Sequence, residues 1–105
     1  MYTTEYRLRG SELWLRSENE QMELFHAALG LTGEAGEVAD LIKKANFTKK
    51  RAPENFKEEL LLELGDVLYY LDRIAQLHDF SLADIMEANI EKLEKRYDRT
   101  TGRPG

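Results

Sequence analysis

Only two prolines interrupt the 105-residue chain, Pro53 in a polar stretch and Pro104 close to its end. Proline inside a helix removes a backbone hydrogen bond and clashes with the preceding turn. The segments on either side of Pro53 are therefore open to long helices, and the apolar spacing uses that freedom. Apolar residues recur at three- and four-residue intervals nearly throughout, and no segment alternates as a half-buried strand requires. A first helix is expected from about Thr4 to Leu15, with Tyr6, Leu13 and Trp14 as its apolar material. A second, from about Asn19 to Ala45, spaces Met22, Phe25, Leu29, Val38, Leu41 and Ile42 helically. Asn46 to Asn55, with Lys49, Lys50, Arg51 and Pro53, reads as a polar, basic loop. The third helix, Phe56 to Leu77, is the most apolar. The fourth opens at Ser81, with Asp84 three residues on as a capping box and Phe80 with Ile85 as a staple, and runs to about Tyr97. The expected fold is all-α, a four-helix bundle-like single domain over residues 1–105, with its core at about 19–97 and a flexible tail at 98–105.

Composition removes several function classes. Twenty acids against fifteen Lys and Arg give a net charge of −5, the wrong sign for a module that gains affinity by neutralising nucleic-acid phosphates. The absence of Cys excludes a disulfide framework and thiolate metal sites. The longest apolar run, Val67 to Leu71, is far short of the roughly 20 residues that span a membrane. Met1 to Gly10 carries charge without an apolar core, so no secretory signal is expected and a cytoplasmic location is. A chain this small buries a limited share of its surface, so a metal or a second subunit is an expected source of stability.

The acids are placed against the grain of this pattern. Glu34 and Glu37 are three apart in the second helix, and Glu63 and Asp66 are three apart in the third, so each pair shares a helix face. At about 100° per residue, Glu34 falls on the stripe of Ala27, Gly30, Leu31, Val38 and Leu41, and Glu63 on that of Phe56, Leu60, Val67, Tyr70 and Ile74. Glu37 and Asp66 border the same stripes. Ordinary surface pairing is one explanation, Glu37 with Lys44 and Asp66 with Arg73. Clustered carboxylates turned toward a core instead need buried cations or a hard divalent metal. An all-oxygen donor set favours Mg²⁺ or Mn²⁺ over Zn²⁺. Gly30, Gly33 and Gly36 in the same helix point to close helix packing or to room for a ligand.

The ordered set Gly33-Glu34-Ala35-Gly36-Glu37-Val38-Ala39-Asp40, then Glu59-Leu60-Leu61-Leu62-Glu63-Leu64-Gly65-Asp66-Val67-Leu68-Tyr69-Tyr70-Leu71, then Asn89-x-x-Lys92-Leu93-x-x-Arg96-Tyr97, resembles the MazG-like nucleotide pyrophosphohydrolases of the all-α NTP pyrophosphatase superfamily. The resemblance covers about residues 19–97. It implies Mg²⁺-dependent cleavage of a nucleoside triphosphate between its α and β phosphates, in the manner of a nucleotide-pool house-cleaning enzyme. Glu34, Glu37, Glu63 and Asp66 would be the metal ligands. The base that activates the attacking water would be Glu34, or else Glu59 one turn before Glu63. Asn89, Lys92 and Arg96 would bind phosphate or sugar oxygens, and Tyr70 would face the nucleobase. A homodimer or homotetramer is implied as well.

His26 is either a pocket-edge group toward the substrate or an ordinary helix histidine. A ferritin-like di-iron centre would need a second Glu-x-x-His pair besides Glu23-x-x-His26, and His78 does not supply one. The sole Trp, Trp14, reads as packing. The alternatives to the triphosphate reading are a phosphoribosyl-ATP pyrophosphatase-like enzyme and a noncatalytic metal-binding helical module.

Overall fold

Four helices follow one another in the computed structural model: α1 (Thr3–Leu13), α2 (Glu20–Phe47), α3 (Phe56–Leu77) and α4 (Leu82–Arg96). The structure describes residues 1–17, 19–47 and 55–97. The basic loop Lys49-Lys50-Arg51 and the tail at 98–105 lie outside the described residues. The fold is all-α, as the apolar spacing predicts. No described helix is long and apolar enough to cross a membrane.

Helices α2 and α3 form an antiparallel pair on which the rest is built. Arg73 of α3 meets Glu23 of α2, Tyr70 meets Gly30, and Glu59 shares a groove with Leu41. Ala27 and Ala75, almost wholly buried, allow close approach in the same half of the pair. α3 ends as glycine-capped helices commonly do, but without glycine. Phe80 N–H donates to the Ala75 carbonyl at 2.8 Å and Asp79 N–H to that of Gln76 at 3.2 Å. This is the Schellman arrangement, and it places Asp79 at φ 60°, the left-handed region. α4 starts with the expected capping box: Asp84 N–H donates to Ser81 Oγ, and Ser81 N–H donates to Asp84. Phe80 stacks beside His78, with centroids 6.3 Å apart.

α1 lies along α3 in the same direction, through polar contacts. Arg7 Nε donates to Asp72 Oδ1 at 3.0 Å in an ion pair that buries the acid. One turn on, Ser11 Oγ donates to Gln76 Oε1 at 3.0 Å, and Tyr69 packs beside Gly10. The expected first helix differs in its last turn. It stops at Leu13, which is exposed, while Trp14 takes an extended conformation (φ −75°, ψ 130°) and is buried. The chain leaves the helix there because the indole has a buried partner on α2, described below.

Buried apolar residues among those described are few: Trp14, Ala27, Ala75 and Leu82. Leu29, Leu61 and Leu62 are each at least 70% exposed, and Met86 and Ile90 of α4 are over half exposed. The helices of one chain thus leave broad apolar faces uncovered.

Candidate metal and phosphate site

The antiparallel register brings the two acidic pairs together. One carboxylate oxygen from each of Glu34, Glu63 and Asp66 lies within 4.8 Å of the others. Glu34 and Glu63 are half-buried and Asp66 is exposed, so the cluster sits at the rim of the helix pair. Among the described residues Glu63 Oε2 is buried without a hydrogen-bond partner. Burial raises the Glu34 carboxyl above its ordinary value, and the charges of Asp66 and Glu63, a hydrogen bond with Glu63, and Glu37 add to that rise.

Among the described residues, the two cations spaced to pair with these acids lie closest to other groups. Lys44 Nζ lies 2.7 Å from Asp40. Arg73 pairs with Glu23 at 3.2 Å, with its guanidinium 4.9 Å from the Trp14 ring centre. Among the described residues no ion pair involves Glu34, Glu63 or Asp66. Arg73 thus turns to Glu23 rather than to Asp66, and Lys44 lies against Asp40 while still feeling the charge of Glu37. Three convergent carboxylates, one of which also carries a buried oxygen without a partner among the described residues, suit a hard divalent cation.

The other expected site residues divide into three groups. Glu37, exposed, stands outside the trio and lines the adjoining open groove with Asp40, Lys44, Glu59 and Glu63. Glu59 thus joins the acids as its spacing suggests. Tyr70 and His26 belong to an aromatic cluster at the next layer of the helix pair. His26 stacks on Trp14 with centroids 4.4 Å apart, and the Tyr70 ring lies 6.0 Å from Trp14 and 5.5 Å from Tyr69. Asn89, Lys92 and Arg96 are exposed on α4; Lys92 and Arg96 border a shallow surface made only of α4 residues. Within one chain these three are not brought to the carboxylates.

Sequence reasoning missed the anchor beneath the aromatic cluster. Glu23, only 7% exposed, accepts Trp14 Nε1–H at 2.6 Å, Ser17 N–H at 3.0 Å and the Arg73 guanidinium. Although burial opposes ionisation, these donors hold the Glu23 carboxyl below its ordinary value. The Glu23-x-x-His26 spacing drew attention to the residue, but as a metal motif.

The sequence model of the MazG nucleotide pyrophosphohydrolase domain matches residues 23–101. The chain belongs to the MazG nucleotide pyrophosphohydrolase family. Its relatives include the gene 37 protein of Mycobacterium phage L5, 36% identical over 77 residues that cover 72% of this chain and 68% of the phage protein. The uncharacterized protein YvdC of Bacillus subtilis (strain 168) is 35% identical over 74 residues, 65% of this chain and 70% of YvdC. No solved structure matches the chain. MazG proteins generally depend on divalent cations and act on nucleotides, and both acidic pairs of this member fall inside the matched span.

Proposed function

We propose that this MazG protein is an Mg²⁺-dependent nucleoside triphosphate pyrophosphohydrolase of the cytoplasmic nucleotide pool, releasing a nucleoside monophosphate and pyrophosphate. The observation that carries the reading is the convergence of Glu34, Glu63 and Asp66, which among the described residues form no ion pair, with Glu63 Oε2 buried and unpartnered among them. Glu63 and Asp66, supported by Glu37, would hold Mg²⁺ or Mn²⁺, with Glu34 closing the set through one oxygen. The cation supplies positive charge that draws in the polyphosphate and offsets the charge developing on its oxygens.

The remaining chemistry belongs to the side chains. Glu34 would ligate through one oxygen only, and its second oxygen makes it the first candidate for general base. Water forms a bond to the α phosphorus as the bond from that phosphorus to the α–β bridging oxygen breaks. Pyrophosphate departs with the electron pair, and the water proton passes to Glu34. Glu59, in the adjoining groove, is the second candidate.

A second copy of the chain belongs to the proposal, as a homodimer or homotetramer. The exposed leucines of α2 and α3 and the exposed α4 stripe support it, since soluble monomers rarely leave such continuous apolar surface uncovered. Assembly of this kind would let Asn89, Lys92 and Arg96 of α4 serve a phosphate, and Tyr70 and His26 border the nucleobase.

The test is pyrophosphate release from a panel of canonical and modified nucleoside triphosphates, with Mg²⁺ and with EDTA. Turnover is expected only with Mg²⁺, and Glu63→Gln is expected to abolish it while helicity is retained. A fully active Glu63→Gln variant would refute the assignment.

A further inference from the structure

Gly30 occupies a costly position. Glycine inside a helix is less stable than alanine by about 1 kcal/mol, and α2 carries Gly30, Gly33 and Gly36 within two turns. Only the first meets a neighbour. A Cβ built on Gly30 would stand 2.6 Å from Tyr70 Cζ and closer still to Cδ1 and Cε1, whereas one on Gly33 or Gly36 would meet nothing within 4 Å. Ordinary carbon–carbon contact is about 3.5–4.0 Å, so a methyl at position 30 would force the ring or the helix back by roughly 1 Å. The half-buried ring is flanked by Trp14, Tyr69 and His26, with centroids 6.0, 5.5 and 6.1 Å away, which block its retreat in their directions.

This contact lies one turn from the acids on both helices. Gly30 precedes Glu34 by four residues, and Tyr70 follows Asp66 by four. The ring seated on the glycine is thus the packing layer next to the one in which Glu34, Glu63 and Asp66 converge. Those three come from two helices, so their separation follows the distance between helix axes. Metal–ligand distances in well-formed sites keep to within about 0.2 Å of their characteristic values.

We infer that Gly30 and Tyr70 form a spacer that fixes the separation of α2 and α3 at the carboxylate trio, which makes both of them positioning residues for cation binding. The inference rests on the cation reading proposed above. Neither residue donates to the cation. The ring sets the gap from one side, and the absent side chain allows the ring to enter from the other.

The test is a double-mutant cycle on the full chain, with Mn²⁺ as probe and its binding read by electron paramagnetic resonance in the absence of nucleotide. Gly30→Ala and Tyr70→Leu are each expected to weaken Mn²⁺ binding about tenfold or more, the scale seen when groups supporting metal ligands are altered. The double variant, in which the smaller side chain makes room for the methyl, is expected to recover to within about threefold of the unsubstituted protein. A purely structural role would lower the melting temperature and leave Mn²⁺ affinity of the folded protein unchanged, which overturns the inference. So does a double variant no better than the weaker single one. If Gly30→Ala does not fold, the double variant should still bind more tightly than Tyr70→Leu, and equal or weaker binding overturns the spacer. No Mn²⁺ binding by the unsubstituted protein would instead overturn the cation reading itself.

Discussion

The indole N–H of Trp14 donates to Glu23 Oε2 at 2.6 Å, and the same oxygen receives the Arg73 guanidinium at 3.2 Å. One carboxylate therefore fastens the segment after α1 to α2 and α3 together. Trp14→Phe keeps an aromatic ring on Arg73 but removes the donor, so the thermal midpoint should fall modestly. Trp14→Ala also opens a cavity, and urea unfolding should show a loss of about 3–5 kcal/mol. Equal midpoints for the two variants would contradict this account.

Acid should release the same anchor. The Glu23 carboxyl titrates below its ordinary value of 4.5 in the folded chain, so ionised Glu23 stabilises the fold. That contribution is complete above the ordinary value and is lost as pH falls below it through the lowered folded value. Glu23→Gln cannot lose it. The stability gap between the unsubstituted protein and Glu23→Gln, followed by thermal unfolding, should be widest near neutrality and shrink in acid.

Divalent cation should stabilise the fold through the trio. A cation that binds only the folded state at a hundred times its dissociation constant contributes about 2.7 kcal/mol. Mg²⁺ or Mn²⁺ should therefore raise the melting temperature of the protein, and nucleoside triphosphate should add to the rise. In Glu63→Gln the cation-dependent part should disappear.

The stripes of α2 and α3, acids included, are legible because each is a local pattern, whereas the register that joins them comes only with the fold. Phe56–Leu77 matches its expected bounds, and Ser81 with Asp84 forms the cap that its spacing implies. The partner of Arg73 is not legible, because spacing along one helix says nothing of a stronger partner on another. Seven residues from Asp66, Arg73 turns instead to Glu23 and Trp14. The apolar spacing places Trp14 in the first helix, since the bond that buries it crosses the fold and leaves no local mark. Of the three glycines, only Gly30 shows the close packing their cost implies. The carboxylate trio was readable from spacing, whereas the place of α4 relative to it was not, since that depends on surfaces one chain leaves open.

Asp79 offers a stabilising change. It holds φ 60° at the position after the α3 cap, where residues with a Cβ are strained and glycine is not. Asp79→Gly should raise stability by up to about 1 kcal/mol, measured as a higher thermal midpoint with unchanged circular dichroism. A lower midpoint would mean that the aspartate contributes something beyond its backbone conformation.

The exposed α3 leucines predict self-association. Light scattering should report a mass that is a multiple of the 12.2 kDa chain. Leu61→Glu, at a residue 71% exposed in the single chain, should shift the distribution toward one chain. A single-chain mass for the unsubstituted protein would remove the second copy from the proposal.

α1 buries no residue of its own and is held by Arg7 on Asp72 and Ser11 on Gln76. A helix secured by charge and hydrogen bonds rather than by apolar burial can detach while the rest of the chain remains folded. Its amide protons should therefore exchange with solvent well before those of α3, and faster still in Arg7→Gln, which removes the charge that holds Asp72. In kinetic terms α1 is a leaf on a hinge at Trp14, and the indole is the pin that stays in place when the leaf swings.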